Sequence, residues 1–135
     1  MTLLILGGTG DARRIAEALH GHDAIVSLAG ATRAPEPLPL PTRIGGFGSA
    51  DGFRAFVDDK NITAVLDATH PFADKITRRT AQICADMNLP YLQMLRPGWT
   101  AQKGDNWTEI AREEEAVDHI PKGAVVFLGT GRQTL

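Results

Sequence analysis

The chain has 135 residues, of which 43% are hydrophobic and 22% charged, and its formal net charge is −2. This length and composition are those of one ordinary globular domain with a sizeable core, and a charge so near zero gives no reason to expect a nucleic-acid partner. The first apolar run has no basic leader, and no run approaches the roughly 18 apolar residues of a membrane span, so we expect a soluble, cytoplasmic protein.

A strand, a glycine turn and a helix are predicted at the start of the chain. Residues 3–6 are apolar and predict a short buried strand. The turn Gly7-Gly8-Thr9-Gly10 follows it. The next apolar residues recur with the spacing of one helix face: Ala12, Ile15, Ala16 and Leu19. Gly21 is a suitable stop signal for this helix.

The glycine turn is a candidate phosphate-binding loop. Glycines after a parallel strand allow backbone N–H groups to approach a phosphate, and a helix start adds roughly half a positive charge. Compared with the dinucleotide fingerprint G-x-G-x-x-G, the sequence matches at Gly8 and Gly10 but has Arg13 in the last place. A tight turn without a ligand is the alternative.

The second predicted strand, residues 24–29, leads to the segment that discriminates between cofactors. An NAD site places an acid there, roughly 20 residues beyond the glycines, to bind the ribose 2′-hydroxyl. The segment "SLAGATR" has no acid. Ser27, Thr32 and Arg33 instead complement a 2′-phosphate, with which Arg33 can form a bidentate pair. The pattern favours NADP over NAD, and an arginine on a loop without a ligand is the alternative.

Four alternating prolines come next: Pro35, Pro37, Pro39 and Pro41. They exclude a helix and a central strand, so residues 31–43 are predicted to form an extended surface loop. After "IGGFG", Ser49 is a candidate cap for a helix. Phe53, Phe56 and Val57 lie on one face of that helix.

The segment "TAVLDATHPFA" predicts a third strand and its turn, with Asp67 at the end of the strand. Ligands of open α/β sheets bind beyond the carboxyl ends of the strands, so Thr69 and His70 are expected to line the same crevice as the glycine turn. His70 is a candidate proton donor or phosphate ligand, and a helix cap is the alternative. No residue has a metal-ligand spacing with it, so no metal site is expected.

The rest of the chain completes an alternating pattern. Pro71 is predicted in the first turn of a helix with one apolar face: Phe72, Ile76, Ile83 and Met87. Cys84, the only cysteine, is predicted to be buried in the core. Further predicted elements are strands at residues 90–95 and 124–128 and an acidic helix at about residues 112–119.

Strands that alternate with helices at this spacing predict an α/β fold, a Rossmann-like doubly wound parallel sheet. We expect it to span residues 1–128. Residues 129–135 would then begin a linker or a second domain, because a strand followed by "GTGR" normally leads into a helix.

Five segments in order resemble the NADPH-dependent precorrin-6A reductases of cobalamin (vitamin B12) biosynthesis: "ILGGTGDARRIAEAL", "RIGGFG", "DATHPFA", "RPGW" and "FLGTGR". The resemblance covers the whole chain but only the first half of the family's length. It implies the cofactor-binding domain of a two-domain reductase that transfers a hydride from NADPH to a double bond of a corrin precursor. It also implies an acid at Asp11, which would cap the helix beneath the pyrophosphate.

The resemblance further implies roles for individual residues. The pyrophosphate would be held by Gly7, Gly8, Thr9 and Gly10, and the adenosine 2′-phosphate by Ser27 and Arg33. The crevice near the ribose or nicotinamide would be lined by Gly46, Phe47, Gly48, Thr69, His70 and Pro71. Arg96 would meet carboxylates of the tetrapyrrole substrate, and His70 is the candidate proton donor.

Two other functions fit parts of the pattern. A non-catalytic NADP-binding or redox-sensing module would use the same glycine turn, and a flavodoxin-like protein that binds another phosphate ligand would share the fold. The pairing of "GGFG" with "DATHPFA" favours the reductase over the first alternative. Arg33 favours it over the second.

Overall fold

A computed structural model describes residues 1–30 and 36–129 of the chain. Its elements, in chain order, are β1 (Thr2–Leu6), α1 (Gly10–Ala18), β2 (Ala24–Leu28), β3 (Thr42–Ile44), α2 (Ala50–Asp59), β4 (Ile62–Asp67), α3 (Asp74–Asp86), β5 (Tyr91–Gln93) and a 3-10 helix (Glu113–His119). The chain divides into two compact units, Met1–Pro97 and Gly98–Leu135. The five strands named here all belong to the first unit.

The five strands form one parallel sheet in the order β3-β2-β1-β4-β5. From β1 the chain moves outward through β2 to β3, and it then returns to add β4 and β5 on the other side of β1. The predicted α/β fold with a doubly wound parallel sheet is therefore confirmed. Because β1 and β4 are neighbours, the loops that follow them leave the sheet in opposite directions, which creates the crevice where open α/β sheets bind ligands.

Apolar side chains pack on both faces of the sheet. One face, covered by α2 and α3, has the buried cluster Leu4, Leu6, Phe53, Val57, Ile62, Val65, Ile83 and Cys84. The other face, covered by α1, has the buried cluster Ile5, Ala16, Ala24, Val26 and Leu40. The prediction that Cys84 is buried is confirmed, and this burial raises the pKa of its thiol to about 11.

The connection between β2 and β3 ends in a strand that the sequence pattern did not predict. Thr42 and Arg43 belong to β3, which pairs in parallel with β2, so the predicted surface loop is wrong for these two residues. Proline excludes a central strand but tolerates the edge of a sheet, and β3 lies at that edge. Leu40, just before the strand, is buried on the α1 face, where a crossover helix would otherwise pack.

Two of the helix boundaries follow the predicted signals. Ser49 caps α2, since its hydroxyl accepts a hydrogen bond from the Gly52 N–H group at 3.1 Å. Helix α1 has Leu19 as its C-cap, and Gly21, with a φ of 83°, lies in the turn beyond it.

Helix α3 begins later than the sequence predicts. Its first residue is Asp74, so the prediction that Pro71 lies in its first turn is wrong. Phe72 also precedes the helix and is 84% exposed, so its predicted place on the apolar face is wrong as well. The reason is a turn in which the Ala73 N–H group donates to the His70 carbonyl at 2.8 Å.

The second unit differs from its prediction in two places. The acidic segment, which the sequence predicts to be a helix, is a 3-10 helix over Glu113–His119 with no buried residue. Its three consecutive glutamates lie in the first turn, where acidic side chains suit the positive end of a helix. The segment has no buried apolar face, the feature that gives most helices in proteins their stability. Residues 124–128 are not a strand, because no strand of the described part of the chain pairs with them, and Val125 and Phe127 are exposed.

Candidate functional site

A cavity of about 520 Å³ lies where the loops after β1 and β4 separate. It is lined by Gly7, Gly8, Thr9, Gly10, Ala12, Arg13, Leu28, Ala29, Gly30, Glu36, Leu38, Ile44, Thr69, His70, Ala73 and Ile76. The predicted glycine turn and the predicted loop after β4 therefore share one crevice. The rest of the lining includes the carboxyl end of β2, described residues of the β2–β3 connection, Ile44 of β3 and the start of α3.

The glycine turn is shaped by backbone conformation. The Gly7 N–H group donates to the Ser27 carbonyl at 2.9 Å, which extends the sheet pairing by one residue. Gly8 then has a φ of 117°, a conformation that L residues rarely adopt. No atom lies within 4 Å of the place where a Cβ of Gly8 would stand, so its backbone is open to a ligand.

Thr9, not Asp11, caps helix α1. The Thr9 hydroxyl accepts a hydrogen bond from the Ala12 N–H group at 3.1 Å and donates to the Ala68 carbonyl at 2.7 Å. The prediction of a cap at Asp11 is therefore wrong. One hydroxyl both starts the helix and joins the glycine turn to the loop after β4, so the two walls of the cavity are fixed to each other.

Asp11 lies in the first turn of α1 and is paired with two arginines. Arg14, on the same helix, and Arg96, beyond β5, both donate to its carboxylate. The hydrogen bond from Arg96 is the largest of the causes that lower the pKa of Asp11, followed by the one from Arg14. Neither Asp11 nor Arg96 lines the cavity, so their proposed contacts with cofactor and substrate stay predictions.

Asp67, at the end of β4, is a buried carboxylate with four hydrogen bonds. Its oxygens accept from the Thr69 N–H group and hydroxyl, at 3.0 and 2.7 Å, from Thr77 at 2.8 Å and from Tyr91 at 2.7 Å. Burial raises the pKa of Asp67, but these bonds outweigh it and leave the pKa below its ordinary value. The charged carboxylate thereby fixes the loop that carries Thr69 and His70 into the cavity.

His70 is exposed and lines the cavity together with the glycine turn. Its Nδ1 accepts a hydrogen bond from the Phe72 N–H group at 3.3 Å, so the neutral ring carries its proton on Nε2. The ring also contacts Phe72, with 5.0 Å between the ring centroids. Pro71 does not line the cavity, so its predicted role there stays a prediction.

The predicted residues at the adenosine end are placed differently from one another. Ser27 is buried, and its hydroxyl accepts a hydrogen bond from Arg43 at 2.8 Å, so it does not line the cavity. Arg33 and Thr32 lie outside the described residues. The roles predicted for Ser27 and Arg33 in binding a 2′-phosphate therefore stay predictions.

The "GGFG" segment is a loop held by Arg43 and by the packing of Phe47. Arg43 donates to the carbonyls of Gly45 and Gly46, at 2.7 and 3.1 Å, and its guanidinium lies 4.1 Å from the ring centre of Phe47. That ring packs edge-on against Phe53, with 4.9 Å between the centroids. Gly46, Phe47 and Gly48 do not line the cavity, and their predicted place near the ribose or nicotinamide stays a prediction.

Two charged residues that were not predicted as ligands from the sequence also line the cavity. Arg13 and Glu36 face each other at the β2 end, with 3.3 Å between Nη2 of the arginine and a carboxylate oxygen of the glutamate. Arg13 is the residue that replaces the third glycine of the fingerprint, a signal that could have identified it. Glu36 lies farther along the chain than the position, roughly 20 residues beyond the glycines, where an acidic ligand of the ribose is expected.

The described residues show neither a metal centre nor a membrane segment. In residues 1–30 and 36–129, no three His, Cys, Asp or Glu side chains are grouped so that they could hold a metal ion. No helix in the same ranges is both long enough and apolar enough to cross a bilayer.

Comparison with known proteins gives one consistent result. Residues 2–135 match the family model described as precorrin-6x reductase CbiJ/CobK. The chain is 44% identical, over 97% of its length, to a precorrin-6A reductase of Sinorhizobium sp, of which it covers 52%. It is 47% identical, over 96% of its length, to a precorrin-6A reductase of Mycobacterium tuberculosis, of which it covers 53%.

A solved structure agrees with the sequence relatives. The structure of CobK precorrin-6A reductase superposes with a TM-score of 0.84 at 41% identity, and the match covers 91% of this chain and 50% of that one. The chain thus spans about half the length of the relatives that it matches.

Proposed function

The chain belongs to the CbiJ/CobK family of precorrin-6x reductases, and we propose that it is the cofactor-binding half of an NADPH-dependent precorrin-6A reductase. This enzyme would transfer a hydride from NADPH to a double bond of a corrin precursor in cobalamin biosynthesis. The observation that carries the proposal is the cavity at the β1–β4 crevice, which is lined by residues of both "GGTG" and "DATH".

The residues around the cavity fit a dinucleotide. Its volume, about 520 Å³, lies within the roughly 300–1,000 Å³ of small-molecule sites. Gly8 leaves its backbone open. In the first turn of α1, the Ala12 N–H group donates to the Thr9 hydroxyl and the Arg13 N–H group to the Thr9 carbonyl, whereas the N–H groups at the first two helical positions have no partner within the helix. Leu28 and Ile44 give the β2 end of the cavity an apolar surface suited to an adenine ring.

The chain's own residues would bind and orient the cofactor, whose nicotinamide supplies the hydride. The N–H groups of the glycine turn would hold the pyrophosphate at the positive end of α1. Arg33 would bind the 2′-phosphate, with Ser27 supporting that end through Arg43. The absence of an acid between Ser27 and Gly30 supports NADPH over NADH.

His70 is the residue that we propose as proton donor. The donor form would be the imidazolium, whose Nδ1 also carries a proton and therefore does not accept from the Phe72 N–H group. Nε2 would deliver its proton, and the neutral ring left behind would regain the hydrogen bond between Nδ1 and that N–H group once its remaining proton has moved from Nδ1 to Nε2. Arg96, 59% exposed at its side chain, is proposed to bind a carboxylate of the tetrapyrrole. Asp11 would then hold the Arg96 guanidinium ready for that contact.

The experiment has a binding step and a turnover step. Calorimetric titration of the chain with NADPH and NADH is expected to show binding of NADPH with a clear preference over NADH. A chimera in which this chain replaces the matching half of the Sinorhizobium relative is expected to oxidise NADPH when precorrin-6A is added. The matched control is the same chimera with Gly8→Val, which we expect to have lost NADPH binding.

The outcomes separate the candidate functions. Binding of NADPH without turnover in the chimera would favour the non-catalytic NADP-binding module. Binding of neither dinucleotide would reject both, provided that circular dichroism shows the chain to be folded.

A further inference from the structure

Among the described residues, Arg13 is the arginine in the lining of the cavity, which also includes the carboxyl end of β2. It lies in the first turn of α1, next to the glycine turn, and shares the cavity lining with Leu28, Ala29 and Gly30. In doubly wound nucleotide-binding sheets this end of β2 is where the adenosine ribose lies, and the side chain found there selects between a 2′-hydroxyl and a 2′-phosphate.

The guanidinium of Arg13 is held by groups of the β2–β3 connection. Nη1 donates to the Pro37 carbonyl and Nη2 to the Glu36 carbonyl, each at 3.2 Å. Nη2 also lies 3.3 Å from a carboxylate oxygen of Glu36. The Arg13 side chain is 34% exposed, whereas that of Glu36 is 83% exposed. The arginine is therefore fixed by two carbonyls, while its anionic partner is surrounded by solvent.

We propose that Arg13 binds the 2′-phosphate of the cofactor as a second cation beside Arg33, and that this phosphate displaces the Glu36 carboxylate from the Arg13 guanidinium. The proposal rests on the function proposed above, since it needs a dinucleotide in this cavity. A planar guanidinium suits a phosphate because it can donate two parallel hydrogen bonds.

Replacing the Glu36 carboxylate by a phosphate at Arg13 costs the protein little free energy. Glu36 has only a weak, solvent-screened attraction to lose, because exposed ion pairs contribute little. Its carboxylate can turn into water while the two carbonyl bonds keep the arginine in place. Without Arg13, the Glu36 carboxylate would repel a phosphate. The ion pair between Arg13 and Glu36 therefore explains how the wall of an NADPH site can contain an acidic residue.

The test is calorimetric titration of the 135-residue chain with NADPH and NADH, beside three variants. Arg13→Gln is expected to weaken NADPH binding about 10- to 100-fold, the loss of a charge-assisted pair, and to change NADH binding by less than about threefold. Glu36→Gln is expected to leave NADPH binding unchanged or to tighten it a few-fold.

The third variant is the matched control, Arg54→Gln. Arg54, which lies on α2, has a similarly exposed side chain, 36%, and is also paired with two acids, Asp51 and Asp86. It is expected to leave the affinities for both dinucleotides unchanged, which excludes an effect of net charge alone. Thermal melts of all variants identify any that fail to fold, and Arg13→Lys, which keeps the charge but not the planar fork, is expected to retain part of the NADPH affinity.

Each outcome of these titrations either supports the role of Arg13 or overturns it. Equal losses for NADPH and NADH in Arg13→Gln, or no loss for NADPH, would overturn it, because Arg13 would then only hold the loop or do nothing. Loss of the NADPH preference together with an active chimera supports both proposals. Loss of the preference with an inactive chimera leaves Arg13 as the phosphate ligand and rejects the reductase. If the folded wild-type chain binds neither dinucleotide, both are rejected.

Discussion

At the scale of single residues, Asp67 shows how a buried charge shapes the candidate site. Its side chain is 1% exposed, yet all the hydrogen bonds described above supply donors to a charged carboxylate. Burial and the hydrogen bond to Asp67 raise the pKa of Tyr91, so its hydroxyl keeps the proton that it donates. Donors that match the charge are what make a buried carboxylate tolerable.

The lowered pKa of Asp67 predicts a loss of stability in acid. A carboxyl group whose pKa is lower in the folded state stabilises the fold above its unfolded value, about 3.9, and the stabilisation is lost as the pH falls through the folded pKa. We expect Asp67→Asn to lower the free energy of unfolding at neutral pH by roughly 1.5–3 kcal/mol. The difference from wild type should shrink below about pH 4.

Urea unfolding at neutral and acidic pH measures this effect. Tyr91→Phe is the control, because it removes one hydrogen bond and keeps the carboxylate. It should cost less than Asp67→Asn and keep the dependence on acid. A difference between wild type and Asp67→Asn that stays constant with pH would contradict the assignment.

At the scale of elements, two helices start with the same device but in different surroundings. Thr9 and Ser49 each accept a hydrogen bond from an N–H group three residues later, at 3.1 Å. Only the Thr9 hydroxyl also donates to another element, at the Ala68 carbonyl. The cap of α1 is therefore part of the cavity, whereas the cap of α2 serves its own helix.

This difference predicts unequal effects of removing the two caps. Ser49→Ala should lower the free energy of unfolding by about 0.5–2 kcal/mol, the ordinary contribution of a cap. Thr9→Ala should cost roughly 0.5–1.5 kcal/mol more, because a second hydrogen bond is lost. Thr9→Ala should also weaken NADPH binding while Ser49→Ala does not. Chemical unfolding and calorimetry measure both effects, and equal results for the two variants would show that the bond to Ala68 has no role.

A close backbone contact joins the "GGFG" loop to α2. A Cβ on Gly52 would stand 2.1 Å from the Phe47 carbonyl oxygen, a separation that no side chain can relieve. We expect Gly52→Ala to move this loop and to lower the free energy of unfolding by about 1–3 kcal/mol. Gly10→Ala, which has nothing within 4 Å of its Cβ, is the control. Thermal melts of the two variants should differ clearly, and similar values would mean that the loop adjusts without cost.

Local sequence signals predicted the apolar strands better than the features that depend on contacts with distant parts of the chain. The apolar runs of β1, β2 and β4 and the capping residue Ser49 are signals contained in a few neighbouring residues. The late start of α3 depends on the turn between His70 and Ala73, where proline chemistry suggested an earlier helix. Residues 124–128 are apolar enough for a strand, but a strand also needs a partner, which a local pattern does not reveal.

The candidate site also has some features that the sequence predicts and others that depend on contacts between distant residues. Topology alone brought the glycine turn and the loop after β4 together, so both could be predicted from strand order. The contacts of individual side chains could not. Ser27 is an example, because its hydroxyl accepts a hydrogen bond from Arg43. Arg43 belongs to β3, a strand that was not predicted because of the prolines that precede it. Glu36 enters the cavity from the connection, and no sequence spacing predicts where such a segment crosses.

At the scale of the whole molecule, the sheet of the described residues ends at β5 in an edge with exposed apolar side chains. β5 has only three residues and pairs with β4 on one side. Leu92, Met94 and Leu95 are 67%, 44% and 61% exposed along and after it. Leu92 also continues a shallow apolar groove formed with Leu3 and Leu66. An unpaired edge with apolar side chains is a surface that other chains can join.

The small net charge adds to this tendency, because a charge of −2 provides little repulsion between copies. We therefore expect the chain to associate with itself as its concentration rises, most strongly near the pH where its net charge vanishes. Leu92→Lys should reduce the association, since a lysine on an edge strand opposes pairing and interrupts the groove. Sedimentation velocity over a range of concentrations measures it. The control is Phe72→Lys, which removes a more exposed apolar side chain, 84%, that lies on a turn and not on a strand. If Phe72→Lys reduces the association as much as Leu92→Lys does, exposed apolar area and added charge cause it, not the edge of the sheet.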